Sequence, residues 1–200
     1  IKLVKYYKFI NYNLIYNNKA INRYKKDIFE ISSDKAESLE KLKKTISNIK
    51  NCELKKNATN IVFADGNPKA KIMLIGEGPG SNEDQEGIPF VGRAGMLLDK
   101  MLASIDLDRK NVYITNVVNY RPPENRRPTE IEITKYLPYL KKHIEIISPK
   151  IVILLGSTAM NALIGNDEVI SKVRGKWINK QFGDCKTSLI VTFHPAFLIR

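Results

Sequence analysis

Three residues with chemically useful side chains, Glu77, Asn116 and His194, each lie at or just after the end of a short apolar run. A fourth, Phe90, lies on the loop that follows the first of these runs. If the runs are strands of one parallel sheet, their carboxyl ends meet at one rim, where open α/β sheets bind their ligands. A carboxylate, an amide, an imidazole and an aromatic ring at one rim predict a reaction site.

The loop that carries the carboxylate reads GEGPGSNEDQEGIPF over residues 76–90. Its glycines allow sharp turns and a close approach of the backbone to a ligand. Glu77, Glu83 and Asp84 would repel a phosphate group, and the loop lacks the lysine of a nucleotide-binding P-loop. It therefore predicts chemistry other than the binding of ATP or NAD.

Four nearly continuous apolar runs are typical of buried parallel strands. They cover residues 71–75, 112–115, 151–155 and 189–193. Helical patterns lie between them at 94–105, 130–147 and 157–164. The alternation predicts an α/β fold, a three-layer α/β/α arrangement with a central four-stranded parallel sheet.

The predicted domain covers residues 34–200 and opens with a helix over 34–51. One face of that helix is apolar and carries Leu39, Leu42, Ile46 and Ile49. Residues 1–33 show no clean periodicity, and we treat them as an N-terminal extension of uncertain order. Because the sequence stops just after an apolar run, we expect the natural chain to continue past Arg200 into a further helix.

The formal net charge of +12 favours a partner that carries phosphates, with nucleic acid as the leading class. A solvated basic surface without a specific ligand is the alternative. The chain has two cysteines and no CxxC pair, which argues against a disulfide framework and a cysteine-built metal site. We expect a reducing, cytoplasmic setting. Lysine and asparagine interrupt the N-terminal apolar segments too often for a membrane span.

Three longer motifs carry the candidate residues: GEGPGSNEDQEGIPFVGRAG from Gly76, TNVVNYRPPENRRP from Thr115 and HPAFLIR from His194. In this order and at these spacings they resemble the uracil-DNA glycosylases of the family-4 type, over roughly residues 36 to 200. The resemblance implies the α/β fold of those enzymes and a role in DNA base excision repair. Such an enzyme flips uracil out of DNA and hydrolyses its N-glycosidic bond, leaving an abasic site.

The resemblance assigns uracil binding to Gly78, Phe90 and Asn116, and catalysis to Glu77 and His194. The amide suits the Watson–Crick edge of uracil, the ring offers a stacking surface, and the imidazole stabilises the departing base by donating to its O2. The carboxylate either orients the attacking water or stabilises the oxocarbenium-like sugar. Each residue also has a purely structural interpretation: a capping amide, a core aromatic, a satisfied histidine and a loop carboxylate.

A second set of residues is predicted to contact DNA or to organise the loops around the site. The arginines supply charge for the DNA backbone, the leucine is a candidate wedge for the space left by the flipped base, and the glutamate and asparagine organise loops or support activity. They are Arg121, Arg126, Arg127, Arg200, Leu198, Glu83 and Asn125.

Members of that family typically hold a 4Fe–4S cluster on four cysteines. In this chain Cys52 stands at the first ligand position, whereas Lys55, Tyr120 and Tyr136 stand at the other three. Cys185 falls outside the pattern. Since one thiolate cannot hold such a cluster, we predict no cluster, no metal and no other cofactor, with aromatic packing in its place.

The expected partner is DNA that contains uracil, either single-stranded or with uracil opposite guanine, and we expect a monomer. Two other functions stay open on the sequence. One is a glycosylase with a broader range of deaminated bases, such as hypoxanthine or xanthine. The other is a DNA-binding module that has lost catalysis together with its cysteines.

Overall fold

The computed structural model describes residues 33–165 and 169–199. Arg200 and the predicted extension, apart from Ser33, lie outside them. The described helices are α1 (Ser33–Ser47), α2 (Glu53–Asn57), α3 (Ser81–Glu86), α4 (Arg93–Ala103), α5 (Glu130–Ile147), α6 (Ser157–Leu163), α7 (Ile170–Val173) and α8 (Pro195–Leu198). The strands are β1 (Asp65–Gly66), β2 (Ile72–Gly76), β3 (Val112–Asn116), β4 (Ile151–Leu155), β5 (Trp177–Phe182) and β6 (Cys185–Thr192).

The strands form one sheet in the order β1-β3-β2-β4-β6-β5. Its centre consists of the four predicted strands β3, β2, β4 and β6, which pair in parallel. These strands bury side chains on both faces, as parallel strands beneath helices do. The predicted strands that lead to the candidate residues are thus all present, and the three-layer α/β fold is confirmed.

The described sheet has six strands, because two strands that the sequence analysis did not predict flank the four predicted parallel ones. Both additional strands lie at an edge and pair in the antiparallel direction, β1 with β3 and β5 with β6. The first has only two residues, and the second alternates more exposed with less exposed positions. Neither has the continuous apolar run by which the central strands were recognised, because an edge strand is only partly covered.

Helices cover both faces of this sheet. On one face, α1, α5 and α6 share a core cluster with Met73 and Ile75 of β2. On the other, α4 contributes Leu98 and Leu102 to a smaller cluster with Leu74. The alternation along β2 follows from the two-residue period of a strand.

The helices follow their predicted ranges closely. α5 covers the predicted residues 130–147, with Thr129 and Glu132 bonded to each other as a capping box. α1 buries Leu39, Leu42 and Ile46 as predicted, but it ends at Ser47 rather than near Asn51, so the buried Ile49 lies just beyond it. In the described part of the chain, no helix has the length and hydropathy that crossing a bilayer requires.

His143 is a buried titratable group on the core-facing side of α5. It is 2% exposed, its ring stacks on Phe63 at 4.7 Å, and its Nε2 lies 2.8 Å from the hydroxyl of Tyr113. Burial lowers the pKa of His143 to about 3. The folded protein therefore holds this imidazole in its neutral form.

We expect His143 to make the fold sensitive to acid. As the pH falls, this histidine is protonated near pH 6.5 in the unfolded chain but only near pH 3 in the folded chain. The histidine therefore costs no stability above pH 6.5 and an increasing amount as the pH falls. Between pH 7 and pH 5 we expect the free energy of unfolding to fall by about 2 kcal/mol more in the wild type than in His143→Gln, by urea denaturation. An equal loss in both proteins would contradict this role.

Candidate active site

The carboxyl ends of β2 and β3 lie side by side, with Gly76 paired in register with Asn116. Glu77 follows β2 directly, and His194 lies two residues beyond the end of β6. They surround a cavity of about 190 Å³. It is lined by Glu77, Gly78, Pro79, Gly80, Glu83, Phe90, Ala94, Asn116, Pro122, Asn125, Arg126, Pro128, His194 and Ala196.

Most of the site residues predicted from the sequence line this one cavity: all five assigned to uracil binding or catalysis, together with Glu83, Asn125 and Arg126. Arg121 is not part of its wall but donates from Nε to the side-chain oxygen of Asn125 at 2.8 Å. Leu198 lies on α8 and is 53% exposed. The predicted phosphate contact of Arg200 lies outside the described residues.

Asn116 has an unusual environment for a buried amide. The residue is 3% exposed, and its Oδ1 has no hydrogen-bond partner among the described residues. Leaving a buried acceptor unpaired costs about 1–3 kcal/mol. An N–H group that entered the cavity would therefore find an acceptor in its wall.

Gly76 makes room for this arrangement. A Cβ atom at this position would lie 2.5 Å from Asn116 Oδ1 and 2.5 Å from Cζ of Phe90. Any side chain there would displace the amide, the ring or both. Gly78, two residues further on, similarly allows the loop to approach Val118, whose Cγ2 would lie 2.8 Å from a Cβ.

The rings of Phe90 and His194 stack with their centroids 5.5 Å apart and their planes inclined by 29°. His194 caps the N-terminus of α8, where its Nδ1 accepts a hydrogen bond of 3.1 Å from the backbone N–H of Ala196. An accepting Nδ1 carries no proton, so the proton of the neutral ring is on Nε2. The imidazole is thus held as an Nε2–H donor.

Glu77 is held by a residue that the sequence analysis did not single out. The hydroxyl of Thr158, which is 8% exposed, donates a hydrogen bond to Glu77 Oε2. Thr158 lies on α6, just after the loop that follows β4. The signal that the sequence offered was its position near the carboxyl end of β4, where this kind of fold binds ligands.

The other two acidic side chains of the glycine-rich loop bond to backbone N–H groups. Glu83 accepts from Gly80 at 3.1 Å, from Val91 at 3.0 Å and from Gly92 at 2.8 Å. Asp84, which is 3% exposed, accepts from the backbone of residues 59 and 60. Both carboxylates therefore serve to fix the loop around the cavity.

The segment RPPENRRP, residues 121–128, forms another wall of the cavity. Its residues Glu124 and Asn125 have φ angles of 55° and 56°, which places the side chain of Asn125 against Arg121. Arg126 makes a bidentate ion pair with Glu132, with N–O distances of 2.7 and 2.8 Å. Hydrogen bonding from Arg126 lowers the pKa of Glu132. Since this guanidinium already has a carboxylate partner, it is less available to phosphates than its sequence suggests.

A second, wider cavity of about 410 Å³ adjoins the first and shares Glu77, Gly78, Asn125, His194 and Ala196 with it. Its remaining wall includes Arg127 and two aromatic rings, Phe193 and Phe197, which stack at 5.2 Å. The guanidinium of Arg174 lies 4.7 Å above the ring of Phe193. The small cavity thus opens beside a groove with arginine and aromatic side chains.

The residues at the four cluster positions do not fit an iron-sulfur cluster. The Sγ of Cys52 lies 3.2 Å from the hydroxyl of Tyr136, and both are buried. Burial, aided by the bond to Cys52, raises the pKa of Tyr136 far above its ordinary value, so its hydroxyl stays protonated.

Tyr120 is buried nearby, and Lys55 donates to the carbonyl of Ser47. Cys185 lies on β6 against the carbonyl of Pro149. One thiol, two phenols and an ammonium group are not the four thiolates that such a cluster needs.

Among the described residues, no group of three or more histidine, cysteine, aspartate or glutamate side chains is placed to hold a metal ion. Three of the four positions, Cys52, Tyr120 and Tyr136, are instead packed in the core, whereas Lys55 is exposed.

Sequence comparisons agree with this geometry. The profile of the uracil DNA glycosylase superfamily matches residues 63–200. The type-4 uracil-DNA glycosylase of Sulfurisphaera tokodaii is 46% identical over 165 residues, which cover 80% of this chain and 75% of the relative. That of Thermotoga maritima is 45% identical over 150 residues (74% and 77%), and that of Archaeoglobus fulgidus 42% over 167 residues (82% and 84%). The matched region contains every element that lines the cavity, and the chain belongs to the uracil DNA glycosylase superfamily.

Proposed function

We propose that this protein removes uracil from DNA by hydrolysing its N-glycosidic bond, which leaves an abasic site. One observation carries the proposal: the buried carboxamide oxygen of Asn116 lines the cavity without a partner among the described residues. The N3–H of uracil would supply the missing donor, while the amide N–H group would donate to the neighbouring O4. Cytosine presents the opposite pattern at these two atoms, so the same amide would reject it.

The ring geometry restricts how a base enters. Stacked atoms approach to about 3.5–4.0 Å, so a base between two rings needs a spacing of about 7 Å. The rings of Phe90 and His194 are 5.5 Å apart. The base therefore stacks on the part of Phe90 that faces the cavity and presents one edge to His194.

His194 then acts on the leaving group. Bond cleavage moves negative charge onto the base and positive charge onto the sugar. With Nδ1 occupied by Ala196, the imidazole directs its Nε2–H towards the uracil O2 and stabilises the departing anion. Glu77, oriented by Thr158, lies at the junction of the two cavities, where it orients the water or stabilises the oxocarbenium-like sugar.

The DNA substrate is proposed to be single-stranded or to contain uracil opposite guanine, because extruding a base costs least where pairing is weak or absent. The net charge of +12 favours binding to the phosphate backbone, and Arg127 and Arg174 lie beside the wider cavity. We further propose that the protein acts as a monomer in the cytoplasm. The convergence of all five proposed pocket residues on one cavity favours an enzyme over a silent DNA-binding module.

We also propose that the protein works without an iron-sulfur cluster. The hydrogen bond between Cys52 and Tyr136, together with the burial of Tyr120, supports this proposal because these groups fill the ligand positions with protein contacts.

The variant Asn116→Asp tests recognition of the base. Replacing the amide donor by a second acceptor sets a carboxylate oxygen against the O4 of uracil. We expect kcat/KM for uracil excision from a single-stranded oligonucleotide to fall by about 5-fold to 150-fold, the equivalent of about 1–3 kcal/mol. Excision is measured by alkaline cleavage at the abasic site.

The matched control is Asn48→Asp, the same chemical change at an exposed position just after α1. It should leave the rate unchanged. Unaltered kinetics of Asn116→Asp would show that Asn116 does not recognise the base. A protein that releases hypoxanthine or xanthine as fast as uracil would instead indicate the broader base range.

Substitution His194→Ala tests the leaving-group role. Because a transition-state donor is lost, we expect the single-turnover rate of excision to fall by about 10²–10³-fold. Affinity for a uracil-free oligonucleotide, measured by fluorescence anisotropy, should change by less than about threefold, since backbone charges dominate it. Equal losses in rate and in affinity would show that His194 only maintains the structure.

Iron removal tests the proposed independence from a cluster. Protein unfolded in urea and refolded with an iron chelator should regain full excision activity. It should show no absorbance at about 400 nm, where iron-sulfur clusters absorb. Stoichiometric iron in the purified protein, or activity that returns only when iron and sulfide are supplied, would overturn the proposal.

A further inference from the structure

We propose that Arg109 is a positioning residue of the uracil pocket, and that its guanidinium group sets the stacking ring of Phe90 by holding the backbone of residues 89 and 90. The inference rests on the proposed function. Arg109 lies in the connection between α4 and β3 and is not part of the cavity wall. Its effect on a bound base is therefore indirect.

The guanidinium binds two consecutive carbonyl groups. Nη1 donates to the carbonyl oxygen of Pro89 at 3.1 Å, and Nη2 donates to that of Phe90. The remaining N–H groups meet two carboxylates: Nη1 donates to Asp65 at 2.7 Å and Nε to Asp99 at 2.9 Å. One side chain thus connects the loop to strand β1 and helix α4.

Phe90 needs such a restraint because its backbone is strained. Its φ angle is 57°, in the left-handed region that bulky residues rarely adopt. Strain of this kind persists only where surrounding contacts fix the conformation. Arg109 supplies those contacts on one side of the Phe90 carbonyl.

Helix α4 packs against the other side of the Phe90 carbonyl group. A Cβ atom on Gly95 would lie 1.7 Å from the carbonyl oxygen of Phe90, so the helix approaches this peptide group as closely as a glycine permits. The carbonyl is held between a guanidinium and a helix backbone. Its orientation, and with it the direction of the Phe90 side chain, is therefore fixed.

The direction of that side chain matters because the ring has little room. Cζ lies 2.5 Å from the position of a Cβ on Gly76, and the ring centroid is 5.5 Å from that of His194. A rotation of the peptide would carry the ring away from the cavity wall or against one of these neighbours. The stacking surface for the base thus depends on hydrogen bonds made outside the cavity.

Lysine cannot replace this arrangement, because an ammonium group lacks the planar fork that reaches two carbonyls and two carboxylates together. In Arg109→Lys we expect KM for uracil excision to rise and the affinity for free uracil, measured as competitive product inhibition, to fall, both by about tenfold or more. Affinity for a uracil-free oligonucleotide and the single-turnover rate at saturating protein should change by less than about threefold.

Two variants separate positioning from loss of stability. Asp99→Asn weakens one ion pair but leaves the bonds to the carbonyls of Pro89 and Phe90, so inhibition by uracil should stay within about threefold of the wild type. Ile46→Val trims the core beneath α1, at a residue that is 1% exposed, and should lower the melting temperature without changing uracil inhibition. A folded Arg109→Lys protein with wild-type uracil inhibition would overturn the proposal. So would an equal loss of inhibition in Ile46→Val.

The wild-type assays separate this inference from the proposed function. If the wild type neither releases uracil nor is inhibited by it, the proposed function fails before Arg109 is tested. If the wild type does both and Arg109→Lys matches it, only the positioning role fails.

Discussion

The site depends on the absence of a side chain at Gly76. The amide of Asn116 and the ring of Phe90 come from different segments, and both occupy the space that a Cβ at this position would fill. The parallel register of β2 and β3 places that glycine directly beside Asn116. The pairing of β2 and β3 therefore sets the position of the cavity. The loops place the ring, the imidazole and the carboxylate around the space beside Gly76.

The loops around this gap are held mainly by side-chain bonds to backbone groups. Glu83 collects three backbone N–H groups, Asp84 fixes the segment before β1, and Arg109 binds two carbonyls. Such bonds determine the course of a loop that has no regular structure of its own. The acidic side chains whose charge disfavours phosphate binding thus have a structural role: they shape the pocket.

The sequence was most informative where local patterns decide the structure. Continuous apolar runs identified the four central strands, and the residues at their carboxyl ends gave the positions of Asn116 and Glu77. Contacts between distant segments left no such pattern. The hydroxyl of Thr158 reaches Glu77 across 81 positions, and Arg109 reaches Pro89 and Phe90 across 20 and 19. The edge strands were missed for a related reason, since their half-exposed residues resemble those of a loop.

Those edge strands bear on how the protein behaves at high concentration. An exposed strand edge offers unpaired backbone groups to a neighbouring chain and is a common starting point for aggregation. Here one edge is only two residues long. The other carries Lys180, whose ammonium group donates to the carbonyl of Leu163 and ties the strand back to its own molecule. With one edge too short and the other charged and tethered, the sheet of the described residues offers a poor template for strand addition by a second copy of the chain.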